Sequence, residues 1–131
     1  MPAFISHSMR DGGIFSALRA GLMGQNIPTW DPASMASGVS LAAQLREAIN
    51  GCEVCVFLAT KNSIESNWCM AEVGAFWGAG KRVIVFVADP EVDETKFPPQ
   101  LKGDLWTDNF AQVANDVKKI ILAADEKQKQ G

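Results

Sequence analysis

The runs EVCVFLA (Glu53 to Ala59) and RVIVFVA (Arg82 to Ala88), apolar after their first residue, constrain this chain most. A strand with one wet face alternates apolar and polar residues. A run of Val, Ile and Phe without that alternation has both faces covered, as in a parallel sheet between two layers of helices. Around these runs the spacing turns helical. Ile14, Leu18 and Leu22, with Phe15 beside them, recur until Gly24, and Leu41, Leu45 and Ile49 recur until about Gly51. Phe110, Val113, Val117, Ile120 and Ile121 form a last amphipathic stripe. Ser66 is placed to cap one more helix, which Gly78 and Gly80 stop. Ala3 to Ser6 and Ile27 to Trp30 are shorter strand candidates. Thr60 to Glu65 reads as a loop, the acidic, proline-bearing stretch after Ala88 as a surface connection, and Asp104 to Thr107 as an edge strand.

Strands alternating with helices predict an α/β fold. Right-handed crossovers limit it to a few doubly wound topologies, of which the one expected here is a flavodoxin-like five-stranded parallel sheet of order 2-1-3-4-5 with helices on both faces. Residues 1–124 make one domain, and residues 125–131 a frayed tail or a linker to a further domain. In such sheets ligands bind beyond the carboxyl ends of the strands, at the switch between the first and third. That rule singles out the loops after Ser6, Trp30 and Ala59, and the start of the helix that holds Glu72.

Composition removes several classes. Twelve basic and 15 acidic side chains give a net charge of -3, and the basic residues cluster no further than the pairs Lys81–Arg82 and Lys118–Lys119, so nucleic acid is not expected as a direct partner. No apolar run nears the roughly 20 residues that span a bilayer, and Met1-Pro2 leads straight into strand-like sequence, so the expectation is a soluble, cytoplasmic protein without a membrane partner. The odd set Cys52, Cys55 and Cys69 lies in apolar sequence. Cys52 and Cys55 spell CxxC but lead into a strand instead of a helix, which favours buried thiols over a redox pair. With His7 the lone histidine, zinc is not expected.

The segment SNWCMAEVGAFWGAG (Ser66 to Gly80) carries a single charge, Glu72. Trp68, Glu72 and Phe76 follow at i, i+4 and i+8, so an indole and a carboxylate lie one turn apart. Cys69, Val73, Phe76 and Trp77 form the neighbouring stripe that faces the sheet, which puts Glu72 at the border of the buried face. In FISHSMRDG, Asp11 reads as a helix cap and His7 as a turn residue with no acid placed to orient it. GAGKR lacks the preceding strand, the spacing and the following helix of a phosphate loop. The hydroxyls of DPASMASGVS, Ser34, Ser37 and Ser40, have no histidine nearby, which argues against a serine hydrolase. Met35 and Val39 in that loop are candidates for contact with a neighbouring molecule.

Taken in order, FISHSMRDG, IPTWDPASMASG and SNWCMAEVGAFWGAGKRVIVF resemble the Toll/interleukin-receptor (TIR) domain of the bacterial type, from Ala3 to about Ala124. They match its opening strand, its second strand with the long BB loop, and its W-x-x-x-E helix. The resemblance implies one of two functions: a scaffold that only associates, or an enzyme that cleaves NAD with a glutamate of the third helix, here Glu72, beside an aromatic, here Trp68. It further implies that Ser6, His7 and Ser8 border the nucleotide, and that Asp31, Ser34 and Gly38 belong to the loop that gates the pocket or reaches a neighbouring subunit. NAD would be substrate, with no cofactor or metal. Where family members often carry tyrosine at His7 and basic residues after it, this chain has Ser8 and Met9, so pyrophosphate would fall to backbone amides, Arg10 or a second subunit. Self-association of an open, head-to-tail, filament-forming kind is implied as well, as is a sensor domain, attached or separate, and a place in bacterial antiviral defence. A nucleoside deoxyribosyltransferase-like enzyme is a rival that would act on free nucleosides.

One carboxylate is also what the chemistry asks for. Ordinary glycosidases need a second to protonate a poor leaving group. In NAD the pyridinium departs as neutral nicotinamide, so no general acid is needed.

Overall fold

The computed structural model describes residues 1–30, 38, 40–92, 95 and 106–130. Strand β1 (Ala3–Ser6) leads through a 3-10 turn, Met9–Asp11, into α1 (Gly12–Gly24). Then follow α2 (Leu41–Gly51), β2 (Val54–Ala59), α3 (Lys61–Ile64), α4 (Asn67–Gly78), β3 (Arg82–Val87), β4 (Trp106–Thr107) and α5 (Phe110–Gln130). The sheet is parallel throughout, in the order β1-β2-β3-β4.

The expected class is therefore present, with four strands among the described residues where the sequence predicts five. Ile27 to Trp30 runs along the free edge of β1, in the place expected of it, but meets it at one bridge, Ala3 to Thr29. Ala3 donates to the Pro28 carbonyl and Trp30 donates to the Ala3 carbonyl. Pro28 has no N–H with which to extend the ladder, and β1 itself begins directly after Pro2.

Both faces of the sheet are covered. Ala3 and Ile5 of β1, Val54, Val56 and Leu58 of β2, and Ile84 of β3 point into one layer with Leu18 and Leu22 of α1 and Val113 and Val117 of α5. Their alternates, Phe4, Cys55, Phe57, Ala59, Val83 and Val85, point into the other with Ala48 of α2 and Cys69, Val73 and Phe76 of α4. Period-2 side chains on continuously apolar strands thus fill two cores, as the sequence predicts. All three cysteines are free and buried.

Three further differences have local causes. The segment after Ala59 is not a plain loop but holds α3, because Thr60 and Ser63 form a reciprocal capping box that closes a single helical turn. Trp77, placed by spacing on the sheet-facing stripe, is 53% exposed. The i+3 neighbours Val73 and Phe76 already fill the contact, and position 77 rotates past it. Finally, α5 continues through the expected tail to Gln130, and the amino terminus lies 3.6 Å from Asp125. No described helix is long and apolar enough to cross a membrane.

Candidate active site

Ser66 accepts from the Cys69 amide and so starts α4, and Gly80, at φ +76°, ends the turn that follows it. Between these stops α4 lies against β1 in a register set by simple lengths. Alternate residues of a strand are about 6.6 Å apart along it, and residues four apart on a helix are about 6 Å apart. Phe4 stacks on Phe76, ring centroids 5.1 Å apart. One step further along, the Ser6 hydroxyl donates to Oε1 of Glu72 at 2.9 Å. The strand ends there while the helix runs back one more turn, to Trp68. A third pair is thus missing, and a cavity stands in its place.

That cavity, about 230 Å³, is walled by Phe4, Ile5, Phe15, Trp30, Leu41 and Leu45, with Met9 and the 40% exposed Trp68 among its outer residues. Its polar groups are His7, Gln44 and Glu72. Glu72 is 7% exposed, and burial raises its carboxyl from 4.5 to about 7, against the opposing pull of hydrogen bonds from Ser6 and, more weakly, Trp68. A group that is half protonated near neutrality, at the carboxyl end of the sheet and on the wall of a cavity, is a candidate functional group.

His7 stacks flat on Phe15, centroids 3.7 Å apart and planes within 3°. Its Nδ1 lies 3.5 Å from the Ile5 carbonyl. A carbonyl only accepts, so Nδ1 carries the proton and donates, and Nε2 is left as the acceptor of a neutral ring. Burial lowers the imidazole, with the Ile5 contact and the Asp11 charge opposing, which keeps the ring neutral at physiological pH.

The remaining predicted residues divide. Ser8 caps the 3-10 turn, accepting from the Arg10 amide at 3.2 Å, and does not line the cavity. Gly38 sits in a turn at φ +86°, a conformation that glycine adopts without strain. Asp31 and Ser34 lie outside the described residues. Asp11 does not cap α1: no cap hydrogen bond is present, and its carboxylate accepts instead from the Thr60 hydroxyl and from the Asn62 amide at 2.9 Å. This buried knot ties the loop after β1 to the loop after β2, across the mouth of the switch point. Sequence reasoning had marked both loops but not their bond, which joins residues 49 and 51 positions apart. It also missed the apolar walls from Phe4, Phe15, Leu41 and Leu45, all of which are indistinguishable by pattern from ordinary core.

The fold is that of a TIR domain. The chain belongs to that family, whose model matches residues 3–121. Among solved structures it is similar to the TIR domain of the Toll-related receptor TRR-2 from Hydra magnipapillata, at 15% identity and a TM-score of 0.66, with 98% of each chain covered. It is also similar to the TIR domains of the activated Roq1 resistosome, which directly recognises the pathogen effector XopQ, at 19% identity and a TM-score of 0.59, with 98% of this chain and 76% of that one covered. At such identities the two share its fold. No curated protein sequence matches it.

Proposed function

We propose that this TIR domain cleaves NAD, with Glu72 as the catalytic carboxylate, as part of a bacterial antiviral defence that operates in the cytoplasm. One observation carries the reading: Glu72 is buried at the switch point, yet opens onto an apolar cavity beside Trp68. A carboxylate in so dry a place stabilises a developing oxocarbenium charge far better than one in water. The substrate's pyridinium, entering the same cavity, favours the ionised form of Glu72 by direct attraction. Trp68 offers a face on which a ring can stack.

In hydrolysis the glycosidic C–N bond breaks with its electron pair going to nicotinamide, and water attacks the anomeric carbon. The products are nicotinamide, ADP-ribose and one proton. When an adenine nitrogen of the same molecule attacks instead, the second product is a cyclic ADP-ribose isomer. A cavity of about 230 Å³ holds the nicotinamide and its ribose but not the whole dinucleotide. The adenosine end must lie over surrounding loops or against a second copy, which accords with activation by self-association. The BB loop residues Asp31, Ser34 and Gly38 are the candidates to reach it.

The test follows nicotinamide release from NAD at rising protein concentration. Release that grows faster than linearly with protein, and that is abolished in Glu72→Gln at unchanged fold, supports the reading. Equal release by wild type and variant, or none in any assembly state, sinks it and leaves a TIR scaffold acting through TIR–TIR contacts. That alternative draws on the similarity to domains of a resistosome assembly.

A further inference from the structure

We propose that Ser6 is a positioning residue for Glu72 and not a nucleotide contact. The proposal rests on the reading of Glu72 as catalytic, and it starts from where the serine lies. Ser6 is 0% exposed and is not among the residues that wall the cavity. Its hydroxyl reaches Glu72 from within the core. A hydroxyl there has no path to a bound nucleotide except through the carboxylate.

Its environment shows why the contact is firm. The strand-to-helix register that stacks Phe4 on Phe76 places Ser6 opposite Glu72, so the hydroxyl is delivered by backbone packing. A hydroxyl has one proton to give, and Ser6 gives it to Oε1 across 2.9 Å. The other titratable groups around the pair are Cys55 from β2 and Cys69 from α4, both thiols raised first of all by burial and therefore uncharged at neutral pH. His7 is neutral, and Asp11 is engaged with Thr60 and Asn62.

The consequence is twofold. The Ser6 bond selects one side-chain conformation of Glu72, and it favours the ionised form over the protonated one, since a hydroxyl donor stabilises a carboxylate. Without it, only the weaker contribution of Trp68 would oppose burial, and the group would stay protonated to higher pH.

The experiment reads Glu72 directly. The side-chain carboxyl of ¹³C-labelled protein, assigned by its absence in Glu72→Gln, is titrated by NMR in wild type, Ser6→Ala and the near-isosteric Ser6→Cys. We expect the Glu72 midpoint to rise by about one pH unit in Ser6→Ala, as the loss of one charge-assisted bond implies, and to fall in between in Ser6→Cys. With NAD, the acid limb of kcat/KM moves upward by the same amount, while KM above pH 9 stays within about twofold of wild type. An unmoved midpoint overturns the proposal. So does a KM raised tenfold with the midpoint unmoved, which would make Ser6 a nucleotide contact. Should Ser6→Ala not fold, Ser6→Cys decides by the same readouts. The titration needs no turnover, so a chain that never cleaves NAD still tests the role of Ser6, while nicotinamide release by Glu72→Gln separately tests that of Glu72.

Discussion

Among the described residues two carboxylates are buried to the same degree, Asp11 and Glu72, each 7% exposed. Asp11 receives a hydroxyl from Thr60 and an amide from Asn62, one on each oxygen, and turns away from the cavity. Glu72 receives Ser6 on Oε1, with a weaker contribution from Trp68, and opens onto the cavity. Burial of a charge is costly unless it is well paired. Full pairing makes Asp11 a brace between two loops. Sparse pairing leaves Glu72 with an appetite for a positive partner, which is what the role proposed for it requires.

The largest expected effect breaks the comparison on the side of function. Glu72→Gln keeps the shape and an acceptor for Ser6 but removes the charge. Nicotinamide release should fall about 10²–10³-fold, the usual loss when one electrostatic stabiliser is removed from a closed site. Single-turnover assays at saturating NAD check that the fall is in the chemical step.

The second breaks it on the side of stability. Asp11→Ala strands the Thr60 hydroxyl and the Asn62 amide, and should cost about 2–4 kcal/mol in urea unfolding, from the usual penalty for buried unsatisfied groups. Glu72→Gln should do the opposite at pH 8 and stabilise the fold by about 2 kcal/mol, because a buried charge is gone. If both substitutions destabilise alike, the two carboxylates do not differ as described.

The third sharpens it through pH. The folded-state value of Glu72 is raised above that of the unfolded chain, so between pH 4.5 and about 7 the folded protein binds more protons. The contribution of Glu72 to stability is therefore full below pH 4.5 and is lost as pH rises through about 7. The rise from 4.5 to about 7 corresponds to about 3 kcal/mol. Glu72→Gln should flatten that part of the stability profile and leave the rest of it in place.

Much of this was legible in the sequence, and the reasons are local. The cap at Ser66, the glycine stop after α4, and the i, i+4 pair Trp68 and Glu72 all follow from spacing within one element, and all are present. So are the two buried strands. What spacing could not show was which face wins where two elements meet. Trp77 lost its place on the sheet because the faces of Val73 and Phe76 already fill it. Asp11 looked like a cap because its true partners, Thr60 and Asn62, are brought to it only by the parallel pairing of β1 with β2. Ser6 was marked for its place in a motif, and only the packing of α4 on β1 turns it toward Glu72. The fold was written in periods, while the site depends on the register between them.

The smallest prediction concerns His7, whose behaviour with pH should oppose that of Glu72. Burial lowers the imidazole, so in acid the unfolded chain takes up this proton more readily than the folded one, and the stability that His7 contributes is lost as pH falls below the unfolded value of 6.5. Between pH 5 and 7 the two groups thus pull in opposite directions, and the larger displacement of Glu72 decides the sign. His7→Phe keeps a ring stacked on Phe15 and removes the titration. Stability near pH 5 should then rise relative to that at pH 8. Denaturant midpoints at the two pH values measure it, and a relative loss at pH 5 would show that the ring is held as the cation, with Asp11 and not burial governing it.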